Sequence, residues 1–297
     1  MKDISNFKTF KKIEPINKGW SSDTKYFVET FDNQKYLLRV SDISEYKAKK
    51  QEFENIKKFA TLGFKMSLPV DFSMCDNGQK VYQLLTWCDG VEAKELLPTL
   101  SVEEQYNYGC KAGEILLKMQ KLETYPPSAD WGIFFGNKIK NYIEAYKNCG
   151  KSFKGYDEII NFINANSHYM NNRPRCFLHE DFQSDNMVIS PNKELYIIDF
   201  QQCGIVDPYY ALMSAMVTGE VSTTFTTGQI KTYFNNNIPE DFWILNASYM
   251  AAEGINVFNV ACTLGKEELN YSYKMINYTL EWFNNMKNVV PNWYKPV

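Results

Sequence analysis

A short apolar hairpin with polar residues at its open end restricts the fold of this chain more than any other feature. Two apolar runs, Met187–Ser190 and Leu195–Ile198, are separated by a turn-like tetrad and predict two antiparallel strands. If the hairpin closes on a two-residue turn at Asn192–Lys193, Asn186 lies directly opposite Asp199. Opposed Cβ atoms are about 4.5–5.5 Å apart. We therefore expect an amide oxygen and a carboxylate side by side at the end of the hairpin.

Oxygen groups placed in this way suit a metal ion, because Mg2+ prefers oxygen ligands completed by water and substrate phosphates. Asn186 and Asp199 are the predicted metal ligands. The residues just before the hairpin complete the pattern H-x-D-x-x-x-x-N, with His179, Asp181 and Asn186 at its fixed positions. Catalytic loops for phosphoryl transfer have this pattern, followed by an apolar strand and Asp-Phe. We predict that Asp181 takes the proton of an acceptor hydroxyl and that His179 braces the loop backbone.

Composition limits the class of protein. The chain has 297 residues, of which 44% are hydrophobic and 23% charged, values typical of one large or two ordinary globular domains. A net charge of −3 lacks the basic footprint of nucleic-acid-binding proteins. The seven cysteines show no C-x-x-C spacing, and neither a signal-like N-terminus nor a long apolar run is apparent. We expect free thiols, a cytoplasmic protein, and no nucleic-acid or membrane partner.

The apolar periodicity changes near residues 86–90, from mainly strand-like to mainly helical. The predicted elements are strands within 12–40, a helix over Ile43–Leu62, strands over Pro69–Phe72 and Val81–Thr86, helices over 101–122, 136–149 and 155–171, and helical structure over 208–286. We expect a two-lobed α+β protein. In it, residues 1–88 form a small β-rich nucleotide-binding lobe, and residues 89–297 form a larger, mainly helical lobe for catalysis and acceptor binding.

Two features of the N-terminal part suit the phosphates of a nucleotide. The turn Gly19–Ser22 allows backbone amides to approach phosphate, and a serine hydroxyl can add a hydrogen bond. Arg39 ends the apolar run of the strand YLLRV, and a buried cation there requires a partner. Glu52 is the predicted partner, because it shares a face with the apolar residues of the following helix.

A third feature suits the base of a nucleotide. Thr86, Trp87 and Cys88 end an apolar strand at the expected junction of the two lobes, just before Asp89–Gly90. A hinge at this point offers backbone N–H and C=O groups to a base. We therefore count these three residues among the predicted nucleotide contacts.

Taken together, these motifs resemble the aminoglycoside phosphotransferase and choline kinase family within the protein-kinase-like fold, and in particular its bacterial antibiotic-kinase branch. The resemblance covers most of the chain and rests on GWSS followed by Tyr26, YLLRV, the Glu52 helix, the strand ending in Asp-Gly, GEILLKMQKL, the loop HEDFQSDN, Ile-Asp-Phe and Asp207–Pro208. It implies a Mg2+-dependent kinase that uses ATP or GTP. The roles it implies are base for Asp181, metal ligand for Asn186 and Asp199, phosphate contact for Ser21, and adenine-binding hinge for residues 86–90.

Three positions depart from the family pattern. The strand lysine of the family is Arg39 here, and arginine keeps the charge with a different reach and geometry. The choice between ATP and GTP therefore stays open. Glu180 and Gln183 stand where many relatives have a glycine and a second histidine. None of these changes removes a predicted base or metal ligand.

The acceptor is expected on the helical lobe, within residues 130–175 and 205–297. Asp207 and Glu253 are the predicted substrate-binding acids, since carboxylates bind the ammonium groups of an amino-sugar. Aromatic residues of this region either form core or contact a quaternary amine or a macrolide: Trp131, Trp243, Tyr249, Trp282 and Trp293.

Several functions remain compatible with the motifs. The preferred one is phosphorylation of a hydroxyl on an antibiotic, either an aminoglycoside or a macrolide. A metabolic kinase for choline, homoserine or a sugar has the same motifs. A nucleotide-binding pseudoenzyme agrees with Arg39 but not with the retained Asp181, Asn186 and Asp199. A protein kinase is disfavoured, because no A-P-E element follows Ile-Asp-Phe.

Overall fold

The structure, a computed structural model, describes residues 3–17 and 22–295. Its strands are β1 (Phe10–Ile16), β2 (Thr24–Thr30), β3 (Lys35–Asp42), β4 (Pro69–Cys75), β5 (Lys80–Thr86), β6 (Val91–Glu92), β7 (Thr124–Ser128), β8 (Arg173–His179), β9 (Met187–Ile189), β10 (Leu195–Ile197) and β11 (Cys203–Val206). Its helices are α1 (Tyr46–Ala60), α2 (Ala93–Leu96), α3 (Val102–Gln120), α4 (Asp130–Asn148), α5 (Tyr156–Asn166), α6 (Pro208–Thr218), α7 (Thr223–Tyr233), α8 (Glu240–Leu264) and α9 (Lys266–Trp282).

The chain forms two compact units. The first comprises Met1–Leu96 and Asp185–Cys203, and the second comprises Leu97–Ser184 and Gly204–Val297. Strands dominate the first unit and helices the second. The predicted α+β class is therefore confirmed. The assignment of nucleotide binding to residues 1–88 and of acceptor binding to residues 89–297 stays a prediction.

The first unit is built on a five-stranded antiparallel sheet with the strand order β1-β2-β3-β5-β4. Side chains along each strand alternate between its two faces. Val28, Leu38 and Leu84 lie on one face and form a core with Ile4 from the N-terminal segment. Arg39, on the other face, bonds to Glu52 of α1. This second face carries the charged residues described below.

The hairpin of β9 and β10 closes on a three-residue turn rather than on the predicted two-residue turn. The Lys193 N–H donates to the Ser190 carbonyl oxygen (2.9 Å), and the Ser190 N–H donates to the Glu194 carbonyl oxygen (3.0 Å). Lys193 adopts a left-handed conformation with φ of 61°. A left-handed third residue is typical of three-residue hairpin loops.

The extra turn residue changes the strand register. Ile189, not Ser190, pairs with Leu195, so the predicted register was wrong by one position. Asn186 consequently lies opposite Ile198, whose N–H donates to the Asn186 carbonyl oxygen (2.9 Å). The hairpin places Asp199 one residue beyond this pair.

A third strand, β6, extends the hairpin to the order β10-β9-β6. Val91 pairs with Ile189 immediately after Gly90. Gly90 has φ of 153°, and a side chain at this position would collide with the Ile189 carbonyl group. Glycine thus allows the end of the predicted hinge to run close against β9.

The second unit contains a small three-stranded sheet, β11-β8-β7, among its helices, in which β7 and β8 are antiparallel. Strand β8 ends at His179 and so leads directly into the predicted catalytic loop. Helix α8 contributes fully buried side chains such as Phe242, Leu245 and Phe258 to the core. Helix α3 begins with a capping box, in which the Ser101 hydroxyl accepts from the Glu104 N–H.

Helix α4 begins at Asp130, before the predicted start at residue 136. The stretch WGIFFG has two glycines, which favour non-helical structure in a sequence interpretation. In the structure, Trp131 and Phe135 stack with their ring centroids 5.5 Å apart. Both side chains are buried, and this burial, together with the i,i+4 contact between the two rings, outweighs the low helix propensity of glycine.

Within residues 3–17 and 22–295, no helix combines the length and the hydropathy that crossing a bilayer requires.

Glycines bring α3 and α7 into close contact in the second unit. A Cβ atom at Gly113 of α3 would lie 2.6 Å from the Gln229 carbonyl oxygen of α7. A Cβ atom at Gly228 of α7 would lie 2.5 Å from the Tyr106 carbonyl oxygen of α3. The two backbones therefore approach each other at positions where a side chain does not fit.

We expect Gly113→Ala to lower the free energy of unfolding by at least about 1 kcal/mol, because overpacking against backbone atoms outweighs the gain in helix propensity. Gly136→Ala, in the interior of α4, is the matched control, since no atom lies within 4 Å of the added Cβ. There we expect a gain of up to about 1 kcal/mol. Urea unfolding of both variants measures the difference, and equal effects would contradict the close packing of α3 on α7.

Candidate active site

Arg39 lies at the centre of a buried charged cluster in the first unit. Its side chain is 3% exposed. The Nε and Nη2 atoms donate to one carboxylate oxygen of Asp23, at 3.0 and 2.5 Å. The Nη1 atom donates to Glu52 and to Asp199, at 3.3 Å each. The ion pair predicted between Arg39 and Glu52 is therefore present, and two further acids share the guanidinium.

Lys49 of α1 is a second buried cation in this cluster. Its Nζ lies 2.9 Å from Asp23 and 3.3 Å from Glu52. Burial opposes ionisation of Asp23, but Arg39 and the hydrogen bond from Lys49 outweigh it and hold the pKa of Asp23 below its usual range. Burial outweighs the same two cations at Glu52 and raises the pKa of that carboxyl. The two acids thus sit in contrasting electrostatic surroundings within one cluster.

Asp199 connects this cluster to solvent. Its side chain is 34% exposed, although one oxygen accepts from Arg39. The residue has φ of 59°, a left-handed conformation that aspartate tolerates better than most side chains. The chain therefore changes direction directly after β10, where the carboxylate projects from the hairpin end.

The donor set formed by Asn186 and Asp199 fits a hard cation that shares its ligands with a nucleotide. Among the residues that the structure describes, no group of three or more His, Cys, Asp or Glu side chains is able to hold a metal alone. Mg2+ usually takes one or two carboxylates together with waters and substrate phosphates, rather than a complete protein cage. One carboxylate and one amide oxygen agree with that pattern and not with a structural zinc site.

The predicted catalytic loop lies in the second unit up to Ser184. His179 is fully buried, and its Nδ1 accepts from the Asp181 N–H (3.1 Å). The Gln183 side-chain amide donates to the Asp181 carboxylate (2.6 Å). Phe182 is buried, and its ring meets that of His179 edge to face. Asp181 is thus oriented twice. Its backbone N–H is held by His179, and its half-buried carboxylate is held by Gln183.

The hinge segment in the first unit uses most of its amides within the sheet. The Thr86 N–H donates to the Leu68 carbonyl oxygen (2.8 Å), and the Trp87 N–H donates to the Lys35 carbonyl oxygen (3.1 Å). The Cys88 amide is then the candidate for a contact with a base. Burial and the nearby Asp89 raise the pKa of the Cys88 thiol to about 12, so the thiol stays protonated.

An aromatic contact lies beside the predicted hinge segment. The rings of Phe27 in β2 and Trp87 meet edge to face, with centroids 4.9 Å apart. Ser21, the predicted phosphate contact, falls outside the described residues. Its neighbour Ser22 donates to Glu45 (3.4 Å).

Asp207 has a structural role in the second unit that the sequence interpretation did not anticipate. Its side chain is fully buried, and it accepts hydrogen bonds from Arg173 (2.7 and 3.1 Å) and from the Tyr249 hydroxyl (2.7 Å). It also caps the N-terminus of α6 by accepting from the Tyr209 N–H. With its oxygens committed in this way, Asp207 presents no surface to a substrate, and we do not propose it as an acceptor ligand.

Glu253 lies at a polar cluster in the second unit. Its carboxylate accepts from the hydroxyls of Tyr142 (3.1 Å) and Tyr210 (3.0 Å) and lies 3.3 Å from the Lys138 Nζ. Burial raises the pKa of Glu180, which interacts electrostatically with Lys138 and Glu253. The cluster therefore adjoins the residue that precedes Asp181.

Most of the aromatic residues considered as acceptor contacts belong to the core. The buried ones are Trp131, Trp243, Tyr249 and Trp282. The Trp131 indole donates to the Tyr249 hydroxyl, which in turn donates to Asp207. These side chains are therefore part of the packing that supports α4, α6 and α8.

In the charged cluster around Arg39 and in the loop of Asp181, three residues were not predicted from the sequence: Asp23, Lys49 and Gln183. Lys49 precedes Glu52 by one helical turn and shares its face, so a signal for it was present. Gln183 was noted only as a departure from the family. Nothing in the local sequence distinguishes Asp23 from a solvated acid after a turn.

Comparison with known proteins identifies the family and the fold of the chain. A model of the phosphotransferase enzyme family matches residues 12–242. A thermostable mutant of aminoglycoside phosphotransferase APH(4)-Ia, in ternary complex with ADP and hygromycin B, has a TM-score of 0.68 at 13% identity, over 92% of this chain and 95% of that chain. The comparison with curated proteins gave no match.

Two further solved structures have the same fold. The GDP complex of an aminoglycoside 2'-phosphotransferase-IIIa mutant has a TM-score of 0.68 at 14% identity, over 97% of this chain and 95% of that chain. A choline/ethanolamine kinase family protein from Mesorhizobium loti has a TM-score of 0.61 at 11% identity, over 94% of this chain and 91% of that chain. At these identities the likeness shows the fold.

The matched region runs from β1 into α8 and includes Asp181, Asn186 and Asp199. The resemblance drawn from the motifs is confirmed by a family model that covers most of the chain. This chain belongs to the phosphotransferase enzyme family and has the fold of the small-molecule kinases.

Proposed function

We propose that the protein transfers the γ-phosphoryl group of ATP or GTP to a hydroxyl of a small molecule, with Mg2+ as cofactor. The arrangement of Asp181 is the observation that carries this proposal. Its carboxylate is held by Gln183 on a loop that His179 braces. A base that takes a hydroxyl proton must be oriented before the substrate arrives.

The first unit supplies the groups for the nucleotide. The Cys88 amide and the Phe27–Trp87 contact lie on the base side of the proposed site. Arg39 and Glu52 lie on the phosphate side, where Ser21 is a further proposed contact. Neighbours of the same fold were solved with ADP and with GDP, so both adenine and guanine donors belong in the test.

Asn186 and Asp199 are the residues that would hold Mg2+. A Mg2+ ion held there would neutralise charge on the transferring phosphates. The contribution of this chain is to hold the two oxygen ligands at the hairpin end. Arg39 fixes one oxygen of Asp199 and leaves the exposed part of that carboxylate available.

The acceptor is proposed to bind at Glu180 and Glu253 in the second unit. Both carboxylates lie near Lys138, whose ammonium is within 5.5 Å of the ring centroids of Phe135 and Tyr210. Two carboxylates and one ammonium leave this cluster with a formal negative charge, and together with the aromatic rings this charge favours a cationic acceptor group. An amino-sugar antibiotic has such groups beside its hydroxyls, and a solved neighbour holds hygromycin B.

A metabolic kinase remains the second candidate, because the same fold occurs in a choline/ethanolamine kinase family protein. A panel of aminoglycosides, macrolides, choline, homoserine and sugars separates the two, with ADP or GDP release as the readout. Turnover with an antibiotic supports the first candidate. Turnover confined to a metabolite supports the second, and no release with any acceptor argues against kinase activity on these classes.

Asp181→Ala is expected to lower kcat by at least about 100-fold while nucleotide binding survives, because only the base is removed. Steady-state kinetics with the best acceptor of the panel measure kcat, and calorimetry measures nucleotide affinity. Asp185→Ala is the matched control, since Asp185 is half-exposed and pairs with Lys94 (2.7 Å). Equal turnover of Asp181→Ala and wild type would remove Asp181 as the base.

Asp199→Asn is expected to abolish the additional thermal stabilisation that Mg2+ gives to the nucleotide complex. The substitution removes the charged ligand and keeps the size of the side chain, so the nucleotide without metal still binds and stabilises the fold. Thermal unfolding with ATP or GTP, with and without Mg2+, measures this difference. Asp185→Asn serves as control, and an undiminished Mg2+ effect in Asp199→Asn would exclude Asp199 as a metal ligand.

A further inference from the structure

The strand register places two cations side by side on the α1 face of the five-stranded sheet. Lys25 of β2 pairs with Arg39 of β3, which pairs with Gln83 of β5. Directly paired residues project from the same face, with Cβ atoms about 4.5–5.5 Å apart. The Gln83 amide donates to the Lys49 carbonyl oxygen of α1 (2.8 Å), which identifies this face as the one that α1 covers.

The next row on the same face is apolar. Phe27, Leu37 and Leu85 pair across the same three strands, two residues along from Lys25 and Arg39. The ring of Phe27 also contacts Trp87 at the hinge. The face is thus apolar beside the proposed base site and cationic about 7 Å further along the strands.

Arg39 has little capacity left for a ligand. A guanidinium has five N–H donors in a fixed plane. Four hydrogen bonds already join it to Asp23, Glu52 and Asp199. Its neighbouring cation Lys49 is likewise paired with Asp23 and Glu52. Arg39 and Lys49 therefore mainly form ion pairs within the cluster.

Lys25 differs from both of these cations. Over residues 3–17 and 22–295, its ammonium forms no hydrogen bond and no ion pair. The side chain is half-buried, and this burial lowers the pKa of the ammonium, while Asp199 is the opposing charge that acts on it most strongly. A partly desolvated cation without a partner is unfavourable, and an anion bound beside Asp199 would relieve that cost.

We propose that Lys25, rather than Arg39, is the cation that binds the phosphates of the nucleotide, and that Arg39 acts as a positioning residue for Asp199. This assignment rests on the proposed function and specifies its phosphate site. It explains how the chain has arginine in β3 and still keeps a cationic phosphate ligand, because the lysine ammonium is supplied by the neighbouring strand β2. The Lys25 ammonium has three N–H donors available for phosphate, whereas the Arg39 guanidinium has at most one unused donor.

Binding of ADP and of adenosine to Lys25→Met tests the assignment, with GDP and guanosine in parallel in case guanine is the preferred base. Loss of a charge-assisted phosphate contact is expected to weaken binding of the diphosphate about tenfold to 100-fold. Binding of the nucleoside is expected to be unchanged, because Lys25 lies in the row beyond the base. Lys25→Arg is expected to retain diphosphate affinity within about threefold, since the charge is kept.

Thermal unfolding without nucleotide separates phosphate binding from a structural role, because loss of a structural side chain would lower Tm. Removal of an unpaired, half-buried cation is expected to leave Tm unchanged or to raise it. Lys25→Gln repeats the measurements if the methionine variant does not fold. Lys80→Met is the matched control, because Lys80 is an exposed lysine at the start of β5 in the same sheet.

Wild-type affinity of Lys25→Met for the diphosphate would overturn the assignment and leave the proposed kinase function standing. Equal loss of diphosphate and nucleoside binding, or a lower Tm in the absence of nucleotide, would also overturn it by showing a structural role. A wild-type protein that binds neither ADP nor GDP would overturn the proposed function itself.

Discussion

The buried ion pair between Arg39 and Asp23 is the interaction on which the first unit depends. Taking both charges out of water costs several kcal/mol for each ion, and only close pairing with additional hydrogen bonds offsets this cost. Asp23 accepts from Arg39, Lys49, Ser41 and Gln201, which joins the start of β2 to β3, to α1 and to the chain after β10. The strength of this network is therefore also what fixes the position of Asp199.

The backbone of the hairpin gives the second constraint. Its three-residue turn moves Asn186 opposite Ile198, so the two metal ligands are not a directly paired couple as a two-residue turn would require. The left-handed conformation of Asp199 follows immediately. Asp199 is thus held by a local backbone conformation and by Arg39, rather than by cross-strand pairing with Asn186.

The sequence predicted those parts of the site whose determinants are close together along the chain. His179, Asp181 and Asn186 lie within eight consecutive residues, so their spacing alone identified them. Glu52 was identified because it shares one face of a single helix with apolar residues. The hairpin register depended on the φ angle of Lys193, which no residue preference specifies uniquely. The burial of Asp207 by Arg173 and Tyr249 depends on tertiary packing between distant segments, and local patterns contain no signal for it.

The three cations and three acids of the charged cluster have a functional consequence beyond stability. Lys25, Arg39 and Lys49 balance Asp23, Glu52 and Asp199, yet only the two fully buried cations are paired within the cluster. The two least buried members, Lys25 and Asp199, interact electrostatically, but within the described residues they form neither a hydrogen bond nor an ion pair with each other. A metal ion bound at Asp199 and an anion bound at Lys25 would each supply opposite charge to a side chain that the cluster itself balances only in part. Metal and polyphosphate are therefore expected to bind cooperatively, since each relieves the charge that the other leaves uncompensated.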